Sequence, residues 1–83
     1  MKYQLIVLKR AQKDLKKLDP RYKTRVLAAL VAIRQDPFSG KALEGEYKGV
    51  WSYRVWPYRI LYQIRQNQLL IQVIKIGHRQ GVY

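Results

Sequence analysis

Three arginines in the second half of the chain, Arg54, Arg59 and Arg79, are the side chains best suited to chemistry. Arg59 lies between Tyr58 and Ile60 in a run otherwise typical of a buried strand, where a charge is costly unless it faces solvent, a carboxylate or a phosphate. A guanidinium keeps its charge and presents a planar fork of donors that fits phosphate oxygens. If neighbouring strands bring Arg54 and Arg79 beside Arg59, the three form an anion-binding site. An exposed strand arginine without a ligand is the simpler alternative.

His78 and Tyr83, near the end of the sequence, are candidates for proton transfer and for base stacking. His78 follows Gly77 where the last apolar run ends, and an imidazole titrates near neutral pH, which suits proton transfer. A lone histidine is more often structural or solvated, so both interpretations stand. Tyr83 can stack on a nucleobase while basic residues hold the phosphates. The other candidates for RNA binding share a positive charge: Lys48, Arg54, Arg65 and Lys75.

The charge of the chain points to a polyanionic partner. Its 83 residues include 17 Lys and Arg against 5 Asp and Glu, a formal net charge of +12, which attracts nucleic acid, anionic membranes or acidic proteins. Cysteine is absent and histidine occurs once, which excludes a disulfide framework and a thiolate or histidine-cluster metal site. No glycine-rich phosphate loop and no serine–histidine–aspartate set occurs. We therefore expect no metal and no cofactor.

Length and hydropathy predict one small domain spanning residues 1–83. Hydrophobic residues make up 48% of the chain, enough to bury a core. The longest apolar run, Val26 to Ile33, is far shorter than the roughly 20 residues that cross a bilayer. These features predict a soluble, cytoplasmic protein that does not enter membranes.

The first half of the sequence predicts a strand followed by a helical hairpin. Residues 3–8 are β-branched, aromatic and aliphatic, as in a strand, and a basic amphipathic helix follows them. Asp19 is suited to cap a second helix that starts at Pro20, and Asp36-Pro37 ends that helix. The apolar stripe predicted for the second helix consists of Val26, Leu27, Leu30, Val31 and Ile33.

The second half predicts a sheet. Residues 37–49 form a connecting loop that can end in a short strand, and β-type runs then cover 51–56, 58–65 and 69–76. Gln66-Asn67-Gln68 can turn the chain between the last two runs, because Asn tolerates a positive φ. The predicted fold class is α+β: an N-terminal strand, a two-helix hairpin and a three-stranded antiparallel meander, with the helices packed on one face of the sheet. Alternation then gathers basic residues on the open face.

The order of short motifs resembles the RelE/ParE toxin superfamily over nearly the whole length. The motifs that carry this resemblance are a basic helical hairpin, Asp36-Pro37-Phe38-Ser39-Gly40, Leu43-Glu44-Gly45, Gly49-Val50-Trp51-Ser52-Tyr53-Arg54, Tyr58-Arg59-Ile60-Leu61-Tyr62, and Gly77-His78-Arg79 with Tyr83. Within the superfamily the chain looks most like the RelE-type messenger-RNA interferases. The resemblance implies a type II toxin that cuts transcripts in the ribosomal A site and is held inactive by a cognate antitoxin.

The resemblance also implies roles for single residues. Arg59 matches the family arginine that holds the scissile phosphate, Arg79 matches the arginine that assists cleavage, and Tyr83 matches the tail tyrosine that stacks on a base. The best-known interferases carry lysines where this chain has Val50 and Ser52. That departure leaves the general base open. Our hypothesis is that the two arginines clamp the phosphate, that Arg54 or Lys48 adds positive potential, and that His78 handles one proton.

Two alternatives of other classes accompany this interpretation. A ParE-like toxin would inhibit DNA gyrase without nuclease activity, which the missing lysines favour. A non-catalytic basic module would bind RNA or a ribosomal surface. In each toxin interpretation the expected partner is an antitoxin with acidic and apolar residues that masks the basic surface, and for the interferase the further partners are the ribosome and mRNA.

Overall fold

A five-stranded mixed sheet with two helices on one face makes up the part of the chain that the computed structural model describes, residues 2–78. The elements in chain order are β1 (Gln4–Val7), α1 (Lys9–Lys17), α2 (Pro20–Gln35), β2 (Lys41–Ala42), β3 (Trp51–Val55), β4 (Tyr58–Arg65) and β5 (Leu70–His78). Short 3-10 turns cover Pro37–Ser39, Gly45–Tyr47 and Gln66–Gln68. The predicted α+β class is confirmed.

The strand order is β1-β5-β4-β3-β2. Strands β3, β4 and β5 form the predicted antiparallel meander. The N-terminal strand β1 joins the sheet as a parallel neighbour of β5. Strand β2, which lies inside the segment predicted as a loop, pairs with β3 at the opposite edge. The sheet therefore has two more strands than the meander alone.

The helical hairpin starts and stops where local signals predict. The backbone N–H of Arg21 donates to the carboxylate of Asp19 over 2.9 Å, and Pro20 takes the first helical position of α2. The Arg21 side chain also donates to Asp19, and these hydrogen bonds lower the pKa of that carboxyl. Helix α2 ends at Gln35, one residue before Asp36. The capping prediction is confirmed.

The face of α2 that meets the sheet differs from the predicted stripe. Its buried residues are Val26, Ala29, Leu30 and Ile33. Leu27 and Val31 are 46% and 57% exposed, so their assignment to the core was wrong. They are four residues apart and therefore share a helix surface that turns away from the sheet. No helix among residues 2–78 combines the length and apolar character needed to cross a membrane.

The turn between β4 and β5 also differs in one detail. Gln66–Gln68 forms a single 3-10 turn, and the residue with a positive φ of 50° is Leu69. The prediction that Asn67 supplies the left-handed conformation was therefore wrong. The turn uses its closing residue instead, because a 3-10 turn keeps its own residues at negative φ.

One carboxylate stabilises the end of β5, the strand that leads towards the predicted site. Strand β1 stops at Val7, opposite Val73, so the next residues of β5 have no strand neighbour on that side. There the Ile76 N–H donates to Asp14 Oδ2 of helix α1 over 3.0 Å. Asp14 thus replaces the missing strand partner and joins α1 to the sheet.

Candidate nucleic-acid interface

Two of the predicted arginines lie directly opposite each other in the sheet. Arg54 of β3 and Arg59 of β4 are cross-strand partners, and such partners share one face. The neighbouring pair Tyr53 and Ile60 lies on the other face, where Ile60 is fully buried in the core shared with the helices. Both guanidinium groups therefore lie on the face away from the helices.

These arginines line a concave site of about 480 Å³, here called the arginine groove, which is lined by Ser39, Gly40, Lys41, Ser52, Tyr53, Arg54 and Arg59. Lys41 is the cross-strand partner of Ser52 and so faces the same way as the arginines. Among residues 2–78 the ion pairs are Arg10–Asp14 and Arg21–Asp19, so no described carboxylate neutralises the three cations of the groove. The groove is suited to bind an anion with several oxygens.

Ser52 is a buried polar residue in the wall of this groove. It is 4% exposed, and its Oγ has no hydrogen-bond partner among the residues that the structure describes. A buried hydroxyl without a partner is costly and uncommon in native proteins. From the sequence, alternation places Ser52 on the same strand face as Arg54, and the best-known interferases carry a lysine at this position, but neither observation predicts an unpartnered hydroxyl.

A hydrogen bond from the core fixes the segment that carries Lys41. The Tyr62 hydroxyl, fully buried, donates to the Pro37 carbonyl oxygen over 2.7 Å, and burial raises the pKa of Tyr62 to about 12. A side chain at Gly40 would collide with the Tyr62 hydroxyl and lie 2.9 Å from the Ser52 carbonyl oxygen. Gly40 therefore permits the close approach that brings Lys41 to β3.

Lys41 is the functional candidate that the sequence analysis missed. It lies in a segment without hydrophobic periodicity, and only its pairing with β3 brings it to the groove. Its charge and the preceding glycine were the only local signals, and neither predicts a partner strand.

The other basic candidates lie at different distances from the groove. Lys75 is the partner of Leu61 on β5, so it shares the open face with Arg59. Arg65 is six residues beyond Arg59 on β4, roughly 20 Å along the strand, and its Nε donates to Gln72 Oε1 over 3.1 Å. Lys48 is exposed in the loop after the second 3-10 turn and does not line the groove. Of these three, only Lys75 lies near the arginines.

The structure does not bring His78 beside Arg59. His78 is the cross-strand partner of Tyr58, and their ring centroids are 6.1 Å apart. Tyr58 in turn contacts Tyr22 of α2 at 5.7 Å, which places the pair on the helix side. Arg59 faces Gly77 on the open side. Arg79 and Tyr83, the other two predicted catalytic residues, lie outside the described residues.

Comparison with known proteins identifies the family of this chain. The sequence profile of the family described as ParE toxin of type II toxin–antitoxin system, parDE, matches residues 5–83. Toxin RelG of Mycobacterium tuberculosis is 34% identical over 79 residues, which cover 88% of this chain and 86% of the relative.

Two solved structures share the fold. The toxin–antitoxin complex RelBE2 of Mycobacterium tuberculosis contains a chain that superposes with a TM-score of 0.87 and 30% identity, covering 95% of this chain and 100% of that one. The isolated E. coli RelE toxin superposes with a TM-score of 0.78 and 25% identity, covering 92% and 83%. Helices on one face of a mixed sheet and a basic groove on the other define a small toxin of the RelE/ParE superfamily. The chain belongs to the ParE toxin family of type II toxin–antitoxin systems.

Proposed function

We propose that this toxin is an endoribonuclease that cuts messenger RNA on the ribosome and that Arg59 binds the scissile phosphate. The observation that carries the proposal is the cross-strand pair of Arg54 and Arg59 in a groove with no described carboxylate to neutralise it. RelE-type relatives share the fold, and cleavage of transcripts in the ribosomal A site is the activity that the resemblance implies.

Cleavage of RNA by transesterification sets four requirements. The 2′-hydroxyl loses a proton, its oxygen bonds to phosphorus in line with the departing 5′-oxygen, the phosphorane gains negative charge, and the 5′-oxygen receives a proton. Arg59 and Arg54 meet the third requirement, because two guanidinium groups on one face of neighbouring strands stabilise charge on the non-bridging oxygens. Arg79 assists them and Tyr83 stacks on a base, as the resemblance implies.

The position of His78 bears on the proton steps. Its ring lies on the helix side, opposite the groove. A proton role for His78 therefore requires the RNA to pass around the end of β5. A His78→Gln variant that loses no more than a few-fold of cleavage would remove histidine from the mechanism, since an acid–base group is worth about 10²–10⁴-fold.

We propose a cognate antitoxin as the protein partner, as in the toxin–antitoxin complex of the related structure. Leu27 and Val31 expose an apolar strip on α2, and the chain carries a net charge of +12. A partner with acidic and apolar side chains complements both features. The ribosome, messenger RNA and a cytoplasmic location complete the proposal.

Arg59→Ala tests the nuclease. Removing a fixed donor to transition-state charge is expected to lower cleavage about 10²–10³-fold, measured by primer extension on translated messenger RNA with purified ribosomes. Lys23→Gln is the charge-matched control, because it removes one positive charge from an exposed site on α2. Cleavage by Arg59→Ala at the wild-type rate would disprove the proposal.

Inhibition of DNA gyrase is the second candidate. The matching family is described as ParE, and no lysine occupies β3. Primer extension on cellular messenger RNA after brief induction of the toxin separates the two functions, since intact transcripts together with accumulated cleaved DNA would assign the toxin to gyrase.

A further inference from the structure

We propose that the Ser52 hydroxyl binds the same RNA phosphate as the two arginines and that Lys41 binds that phosphate or the adjacent one, so that the arginine groove is a four-donor phosphate site. The inference rests on the proposed function and adds two residues to it. Ser52 would donate a hydrogen bond to a non-bridging phosphate oxygen, and Lys41 would hold the charge of that phosphate or of the adjacent one. Neither step forms or breaks a covalent bond.

The burial of Ser52 without a partner is the first observation. At 4% exposure the hydroxyl has lost water, and none of the residues 2–78 replaces that water. It lines the groove that Arg54 and Arg59 also line. A phosphate oxygen held by the arginines supplies the missing acceptor, which explains why a costly buried hydroxyl stands at this position.

The register of β2 is the second observation. Lys41 pairs directly with Ser52, and Ser52 lies two residues before Arg54 on β3. Side chains two residues apart on a strand share a face, and so do direct cross-strand partners, so the ammonium, the hydroxyl and the guanidinium lie on the same face at this edge of the sheet. The buried bond from Tyr62 to the Pro37 carbonyl fixes the approach of this segment.

The donors favour a phosphate over a carboxylate. Three cations and one neutral hydroxyl line a site of about 480 Å³, so one carboxylate would leave two of the three positive charges without a counter-charge. A phosphodiester in a single strand offers two non-bridging oxygens, and the next phosphate of the strand is within reach of a flexible lysine. We therefore infer that the ligand of the arginine groove is single-stranded RNA.

The charge contribution of Lys41 is measured by salt dependence. A fluorescein-labelled single-stranded RNA with 2′-deoxy sugars at every position of cleavage is titrated with the full chain at several KCl concentrations, by anisotropy. Lys41→Gln is expected to lower the steepness of log Kd against log salt by about 0.7, the value for one phosphate contact in a single strand. Lys23→Gln, at an exposed site of α2, is expected to leave the slope unchanged. Equal slopes for wild type and Lys41→Gln would overturn the role of Lys41.

Ser52→Ala separates a ligand hydroxyl from a structural one. Because the hydroxyl has no described partner, its removal is expected to leave the melting temperature unchanged or higher. RNA affinity should nevertheless fall about 10-fold, as for a hydrogen bond to a charged group, with no change in salt slope. Unchanged affinity, or a lower melting temperature, would overturn the role of Ser52.

Arg59→Ala in the same assays distinguishes failure of this inference from failure of the proposed function. If Arg59→Ala weakens binding and ribosome-dependent cleavage while Lys41→Gln and Ser52→Ala weaken neither, the nuclease stands and the four-donor site falls. If Arg59→Ala still cleaves normally, the proposed function falls. Loss of affinity for a poly-glutamate probe in Lys41→Gln and Ser52→Ala, without loss for RNA, would assign the groove to an acidic protein and overturn the inference.

Discussion

Arg54 and Arg59 illustrate how a functional site opposes stability at the scale of single residues. Like charges placed directly opposite each other in a sheet are destabilising, yet these two guanidinium groups are cross-strand partners. No described carboxylate separates them. On the proposed function, the negatively charged RNA accounts for an arrangement that folding alone does not favour.

Tyr62 gives a prediction about pH. Burial raises its pKa from 10.0 to about 12, so the folded state favours the neutral phenol. The stability that this provides is complete below pH 10 and is lost as the pH rises towards 12. Comparison with Tyr62→Phe isolates the effect, because the other tyrosines are common to both proteins. The difference in unfolding free energy should shrink by about 1 kcal/mol between pH 8 and pH 11 in urea titrations. A constant difference would contradict this assignment.

The position of a single side chain could be predicted from the sequence only where alternation along its own strand determines the face of the sheet on which it lies. Placing Arg59 on the open face requires only the period of two along β4. His78 and Lys41 depend on which residue of another strand they pair with, and a register is not visible in a single sequence. For the same reason, the sequence does not predict that the Ser52 hydroxyl is buried without a hydrogen-bond partner.

At the scale of elements, Asp14 joins α1 to the end of β5. Its carboxylate accepts the Ile76 N–H over 3.0 Å where β1 no longer covers the strand. Asp14→Ala leaves that N–H without its acceptor and should lower the unfolding free energy by about 1–3 kcal/mol in urea titrations. Asp14→Asn retains a carbonyl acceptor and should lose much less.

Arg10→Ala is the matched control for Asp14. Arg10 Nε lies 3.3 Å from Asp14 Oδ1, and the arginine side chain is 62% exposed. A surface pair of this kind contributes about 0–1 kcal/mol. If Arg10→Ala costs as much as Asp14→Ala, the ion pair rather than the backbone hydrogen bond accounts for the effect.

A helix or strand could be predicted when the residues that determine it are its neighbours in sequence, and could not be predicted when they are far away in the chain. The hairpin was predicted to within a residue, because Asp19, Pro20 and Asp36 act on the backbone beside them. Strand β2 has two residues and exists only because β3 lies next to it. The parallel pairing of β1 with β5 joins residues 66 positions apart, and such contacts leave no local pattern.

At the scale of the whole molecule, repulsion among positive charges should limit stability. The chain carries a net charge of +12, and on α1 the exposed residues Lys9, Lys13 and Lys17 follow one another at four-residue spacing. Self-repulsion of this kind is screened by salt. We expect the unfolding free energy to rise on the order of 1 kcal/mol between 20 mM and 500 mM KCl, measured with urea.

Lys13→Gln provides the comparison for that experiment. It removes the two repulsive pairs that Lys13 forms with Lys9 and Lys17 on α1, each worth about 0.2–0.5 kcal/mol, so the variant should be more stable at low salt and respond less to KCl. A wild-type protein that becomes less stable in KCl would show that attractive pairs dominate its electrostatics.

The division of the sheet into two faces has a consequence for cells that carry an inactivated copy of the toxin gene. The groove lies on one face, while α2 and its apolar strip lie on the other. If the toxin cuts messenger RNA at the groove, a mutation such as Arg59→Ala abolishes cutting without altering the helical surface that is available to an antitoxin. On the proposed function, such an inert copy acts as a decoy: it occupies antitoxin and releases any intact toxin made in the same cell. Inactivated genes of this kind should consequently be harmful beside a working copy and harmless alone.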